Sequence, residues 1–179
     1  VTIEANVEIT GNTATIEEAP GGDATIELDG DNKLKSGSCK AGLEKDDEMS
    51  EDGETISGTL TIKDDKGKDG SLTAEGGFGG AGIGGYGAGV TITGGNVTAT
   101  GAEGGAGIGN PGGKKDSNIA PGMIKIGGTA QVTATGGNAV SNSTYNYSYN
   151  AGAAIGNGSA PNSNVKGEEV EVVTDNSTT

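Results

Sequence analysis

The 179-residue sequence predicts an all-β fold: a parallel β-helix, or β-solenoid, of about four main coils with three short strands each. Three observations predict it. A three-part motif recurs in a fixed order along the chain. Each part alternates apolar and other residues, which is the period of a strand and not of a helix. The 37 glycines, far above the roughly 7% of ordinary domains, cluster between these parts, where a coil must turn tightly. Such a composition also suits a disordered chain, but regular apolar spacing selects the repeat fold.

Residues 1–22 read as opening and capping strands: Val1-Thr-Ile3, Val7-Glu-Ile9 and Ala14-Thr-Ile16. Residues 23–167 carry the main coils. The first part of the motif is Ile26-Glu-Leu28, Leu60-Thr-Ile62, Val90-Thr-Ile92 and Ile124-Lys-Ile126. The second is Leu34-Lys-Ser36, Leu72-Thr-Ala74, Val97-Thr-Ala99 and Val132-Thr-Ala134. The third is Ala41-Gly-Leu43, Ala81-Gly-Ile83, Ala106-Gly-Ile108 and Ala154-Ile155. Stacked coils line up Ile26, Leu60, Val90 and Ile124 in one interior ladder. Leu34, Leu72, Val97 and Val132 form a second, and Leu43, Ile83, Ile108 and Ile155 a third. Each of these side chains contributes roughly 1.5–3 kcal/mol when buried. Residues 168–179 supply a closing strand, Val170-Glu-Val172, and a tail, so the chain reads as one domain. Acidic first and last coils fit the need to protect open strand edges.

Gly76-Gly77, Gly94-Gly95, Gly127-Gly128 and Gly136-Gly137 follow strand parts, where corners call for positive φ. The small residues beside the third ladder, such as Ala81 and Ala106, imply a narrow cross-section. Insertions at 45–55, 63–70, 110–121 and 138–152 differ in length between copies. In solenoids such insertions emerge on one side and carry binding.

The net charge of −14 argues against nucleic acid and anionic membrane surfaces, which need clustered cations. No run approaches the roughly 18 apolar residues of a membrane helix, so no membrane insertion is expected. The chain has no visible signal peptide and begins at Val1, which reads as a mature or trimmed fragment. Its single Cys39 reads as a buried structural thiol. All cations are Lys; the absence of His and Arg removes the commonest general base and charge clamp, so no enzyme activity is expected.

Gly79-Gly-Ala-Gly-Ile-Gly-Gly85 followed by Gly89-Val-Thr-Ile-Thr-Gly-Gly-Asn-Val-Thr-Ala-Thr-Gly101 resembles the Gly-rich repeat regions of large secreted or wall-attached proteins of gut Firmicutes, a family described as carbohydrate-binding-domain-containing or adhesin-like. The resemblance spans about residues 23 to 172. It implies a right-handed parallel β-helix in a bacterial protein that is secreted or held at the cell wall or surface. It carries no established functional residues. The acidic first insertion and the Tyr-rich last one depart from the family's pattern.

Two insertions hold candidate sites. Tyr145-Asn146-Tyr147-Ser148-Tyr149 places three tyrosines on one face if extended, and Tyr86 joins them if the insertion folds back. Aromatic planes with hydroxyl tips suit sugar rings, and Asn146 adds hydrogen bonds. The alternative is that the rings simply cover the side or end of the helix. The acidic run supplies Asp46, Asp47, Glu48, Glu51 and Asp52, carboxylates that suit Ca²⁺. The alternative is a solvated charged loop, since EF-hand spacing is missing, and no other cofactor is expected. Three functions remain open: a surface module binding a glycan or host-surface ligand, a structural stalk without a ligand, and, remotely, a polysaccharide-acting enzyme.

Overall fold

The computed structural model describes residues 2–3, 8–11, 16–18, 22–37, 39–66, 69–87, 89–112, 122–142, 147–160 and 173–175. In chain order the strands begin with β1 (Thr2–Ile3), β2 (Glu8–Gly11), β3 (Ile16–Glu18), β4 (Ala24–Leu28), β5 (Asp31–Ser36) and β6 (Leu43–Lys45). Next come β7 (Glu48–Met49), β8 (Thr55–Ile56), β9 (Thr59–Lys63), β10 (Ser71–Glu75), β11 (Ile83–Gly84), β12 (Gly89–Ile92), β13 (Asn96–Thr100) and β14 (Ile108–Gly109). The last are β15 (Ile124–Gly127), β16 (Gln131–Thr135), β17 (Val140–Asn142), β18 (Tyr147–Tyr149), β19 (Ile155–Gly156) and β20 (Val173–Asp175). No helix occurs among the described residues.

The fold is all-β, with three stacked parallel sheets. Sheet A has the order β1-β4-β9-β12-β15-β20, sheet B β16-β13-β10-β5-β2 and sheet C β19-β14-β11-β6-β3. The chain therefore visits A, then B, then C, and returns to A beside its previous strand. Parallel neighbours need a long crossover, and here the other two sheets serve as that crossover. This is the arrangement of a β-helix.

The third ladder is as the sequence predicts: Leu43, Ile83, Ile108 and Ile155 pair in register, and Ile16 joins them. The other two differ from expectation by two residues at their start. Ile26 stacks on Ile62, not Leu60; Ala24 stacks on Leu60, giving columns Ala24–Leu60–Val90–Ile124 and Ile26–Ile62–Ile92–Ile126. Leu28 turns in at the corner, into space left by Gly70 and Gly95, whose added Cβ atoms would lie 2.6 and 2.7 Å from it. In sheet B, Leu34 pairs with Ala74, and Asn32 holds the column of Leu72, Val97 and Val132. A slip of two keeps every side chain on its own face, so apolar alternation does not distinguish these registers. Asn32 is buried, and its amide donates to the carbonyls of Asp29 (3.0 Å), Gly30 (3.2 Å) and Ser71 (3.2 Å). It satisfies a corner that an apolar residue would leave bare.

The glycines act in two ways. Gly95 (φ 82°) and Gly128 (φ 61°) do take left-handed backbone at corners. At Gly80, Gly105 and Gly152 the cause is contact: an added Cβ would stand 2.1 Å from the carbonyl oxygen of Lys40, Gly80 and Gly105 respectively. Ala81 and Ala106 are fully buried beside them, as a narrow cross-section requires.

The insertions do not share one side. The hairpin β7–β8 leaves between sheets C and A, residues 64–66 and 69–70 lie between A and B, and the hairpin β17–β18 leaves between B and C. Residues 113–121 and the expected closing strand Val170–Val172 lie outside the described residues; the strand that pairs with β15 is β20. Cys39 is exposed, not buried. It stands two residues before Ala41, the outward corner position that Gly79 and Gly104 hold before Ala81 and Ala106.

Candidate functional site

The hairpin β17–β18 pairs Val140 with Tyr149, Ser141 with Ser148 and Asn142 with Tyr147. It folds back over the corners between sheets B and C. There the half-buried Tyr149 meets the half-buried Phe78 edge-on, with ring centroids 5.6 Å apart and planes at 84°, a favoured aromatic geometry. The floor beneath is glycine. A Cβ on Gly104 would lie 2.7 Å from Tyr149 Cδ1, and one on Gly79 would lie 3.9 Å from its hydroxyl. Ser159 secures the hairpin's exit: its N–H donates to Gly104 O (2.7 Å) and its hydroxyl to Asn150 O (2.6 Å).

Tyr86 sits at the other end of β11, half-buried. Its N–H donates to Asp46 Oδ1 (2.7 Å), and its carbonyl accepts from Asp47 N–H (2.9 Å). Burial pushes its phenol pKa up, and Asp46, Tyr149, Glu44 and Cys39 add to the shift in that order. Tyr86 and Tyr149 are therefore within electrostatic reach of each other. Phe78 and Tyr149 form a half-buried, edge-on ring pair with one hydroxyl, able to pack on a flat apolar face and to hydrogen-bond at its rim.

Of the sequence-predicted aromatic residues, Tyr149 packs against Phe78 over Gly104, and Tyr86 stands beyond the other end of β11. Tyr147 lies on β18 with its side chain outside the described residues, as are Tyr145 and Asn146 entirely.

The acidic residues are arranged differently from a cation cage. Asp46 caps the Tyr86 amide, and Asp47 accepts from Gly58 N–H (3.2 Å) and the Ser57 hydroxyl (2.9 Å). Glu48, Glu51 and Asp52 are exposed on or beside the hairpin β7–β8. Among the described residues no three His, Cys, Asp or Glu side chains form a group suited to a metal ion.

Sequence reasoning missed several residues around this site. Phe78 stands in a Gly-rich corner where the next copy has Glu103; an aromatic in that setting was the available signal. Asn110 Nδ2 donates to Asn157 Oδ1 (2.8 Å), and Asn110 Oδ1 accepts from Gly87 N–H (3.1 Å). The repeat of Ile-Gly-Asn at 108–110 and 155–157 was its signal. Glu44 is buried; one oxygen accepts from the Lys40 ammonium and the other from Ala41 N–H (2.8 Å). Burial pushes its carboxyl pKa up and the charge of Asp46 adds to this, against the Lys40 and Ala41 hydrogen bonds. Lys45 is fully buried, its ammonium donating to Asp46 O (3.0 Å). Neither buried charge is legible from an apolar-alternation pattern.

No family model, curated protein or solved structure matches this chain.

Proposed function

We propose that this chain is a non-catalytic, carbohydrate-directed binding or adhesion module, secreted by or displayed on a bacterium, built as a right-handed parallel β-helix of about four main coils. The observation that carries the reading is the ring pair at the sheet B–sheet C corner: Phe78 edge-on to Tyr149, both half-buried, with Tyr149 lying over Gly104 and Gly79. Rings that served only as core would be fully buried, like Ile83 and Ile108 in the strands beside them. Half-exposed rings keep apolar surface for the C–H face of a sugar, and the Tyr149 hydroxyl meets its rim. The lack of Arg and His throughout the chain supports a module that binds without reacting. No cofactor is part of the reading.

The test is a broad glycan array with the wild-type chain and with Tyr149→Ala and Phe78→Ala, run with and without a Ca²⁺ chelator. Far-UV circular dichroism checks that each variant keeps its β content. Binding by wild type that falls at least tenfold in both variants, with the fold retained, supports the reading. A folded wild-type chain that is silent across the array overturns it and leaves the stalk reading in place. Loss of signal on chelation would bring Ca²⁺ into the site.

A further inference from the structure

The chain makes the same turn twice between sheets B and C, one level apart. Gly80 N–H donates to Gly77 O (2.5 Å) and Gly105 N–H to Ala102 O (2.6 Å). The third residues of the two turns, Gly79 (φ 72°) and Gly104 (φ 78°), take left-handed backbone. Ala102 N–H joins the turns by donating to Gly80 O (3.0 Å), and neighbouring levels stand about 4.8 Å apart. The second residue of each turn therefore holds the same place, but its type changes: Phe78 in one, Glu103 in the next. Tyr149 lies across both turns. A Cβ on Gly104 would lie 2.7 Å from Tyr149 Cδ1 and 2.9 Å from its Cβ, and one on Gly79 would lie 3.9 Å from its hydroxyl. The ring thus runs from the level of Glu103 down to that of Phe78, which it meets edge-on at 5.6 Å. Glu103 is partly buried, and among the described residues its carboxylate has neither a hydrogen bond nor an ion pair. Glu27, Glu44 and Glu75, by contrast, each meet a Lys.

We propose that this corner binds an amino sugar, its ammonium group on Glu103 and its ring on Phe78 and Tyr149. The inference rests on the sugar-binding reading and names the ligand class for it. Aromatic faces attract a cation within about 6 Å of the ring centroid, and a carboxylate on the same flank adds a charge-assisted hydrogen bond. The net charge of −14 draws cations toward the chain and repels acidic sugars. A lysine side chain would satisfy the carboxylate but brings no flat C–H face to the rings. A neutral or N-acetylated sugar brings the face but no charge. A deacetylated amino sugar presents both on one ring.

The test is calorimetric titration of the full 179-residue chain with a glucosamine oligomer, its N-acetylated counterpart, a glucose oligomer of the same length and an oligolysine of matched charge. The pH is set so that the sugar amines are protonated. The glucosamine oligomer is expected to bind at least tenfold tighter than each of the other three. Glu103→Gln is expected to abolish that preference and leave the weaker binding of the neutral sugars in place. Phe78→Leu is expected to weaken all three sugars. Glu54→Gln, the same charge change on the exposed β7–β8 hairpin, is expected to leave the preference unchanged. Far-UV circular dichroism confirms that each variant keeps its fold. Equal binding of the three sugars overturns the inference and leaves the sugar-binding reading standing. So does a preference that survives in Glu103→Gln. Oligolysine binding as tightly as the glucosamine oligomer overturns it too, because net charge alone would then account for the attraction. Silence toward every sugar overturns the sugar-binding reading and this inference with it.

Discussion

Replacing Gly105 by Ala tests the close stacking on which the fold rests. An added Cβ would stand 2.1 Å from Gly80 O and 2.6 Å from Gly80 C, where ordinary contact begins at 3.4 Å. Both neighbours are backbone, so no side chain can swing away. The strand levels must part locally by about 1 Å, across hydrogen bonds from Ala102 N–H to Gly80 O (3.0 Å) and from Gly137 N–H to Gly105 O (2.8 Å). Overpacking costs about 1–3 kcal/mol, and each weakened hydrogen bond about 1 kcal/mol, so the expected loss is roughly 3–5 kcal/mol. Two other glycines calibrate the result. Gly53 has φ 82° in open space, so Gly53→Ala carries only the left-handed backbone cost, about 1–2 kcal/mol. Gly22 has nothing within 4 Å and no positive φ, so Gly22→Ala stabilises by about 0.4–1 kcal/mol through the unfolded chain. Urea unfolding followed by far-UV circular dichroism reads all three. If Gly105→Ala costs less than Gly53→Ala, the close stacking is wrong.

Asn32→Ala removes the amide that serves three corner carbonyls. It is expected to destabilise by about 1–3 kcal/mol in the same urea assay, and a change under about 0.5 kcal/mol would show the amide to be dispensable. The raised carboxyl pKa of Glu44 makes its protonated form the better fit to the fold. Its contribution is fully present below the unfolded pKa of about 4.5 and is lost as pH rises through the higher folded value. Wild type therefore loses stability relative to Glu44→Gln across that window, read as a widening gap in melting temperature. A gap that narrows with rising pH would contradict the assignment. Glu27 works in the opposite sense: burial opposes its ionisation, but the Asp65 and Lys66 amides and the Lys63 ammonium prevail and hold its pKa down. Comparison with Glu44→Gln isolates Glu44 because both proteins keep Glu27.

The parallel arrangement was legible because its signal is redundant. Val90-Thr-Ile92, Val97-Thr-Ala99 and Ala106-Gly-Ile108 each repeat in place, and a strand's period of two is visible in so short a run. Register was less legible. The true equivalent of Leu60-Thr-Ile62 is Ala24-Thr-Ile26, but Ile26-Glu-Leu28 is the stronger apolar match. Likewise Asn32 in the column of Leu72 reads as surface until its three carbonyl partners are seen. The acidic run was read by composition, which cannot tell a cation ligand from a loop cap. Asp46 and Asp47 cap backbone amides that are 40 and 11 residues away. The ring pair was half legible: Tyr149 stood out in its run, while its partner Phe78 lies 71 residues earlier and has no equivalent in the next copy.

That separation follows from the fold. Inside a strand column an extra residue would flip the following side chains to the wrong face, so length variation is confined to corners. The β7–β8 and β17–β18 hairpins both obey this, each inserted between sheets and not within one. Corner glycines such as Gly79 and Gly104 leave room above the backbone, and a hairpin inserted at a later corner can lay a ring there, as β18 lays Tyr149. The ring pair is therefore assembled from different levels of the stack: Phe78 from the corner before β11 and Tyr149 from the corner after β16. The repeat sets where such residues can appear. Which residues they are is free of the repeat, so the regularity that reveals the fold leaves the site hidden.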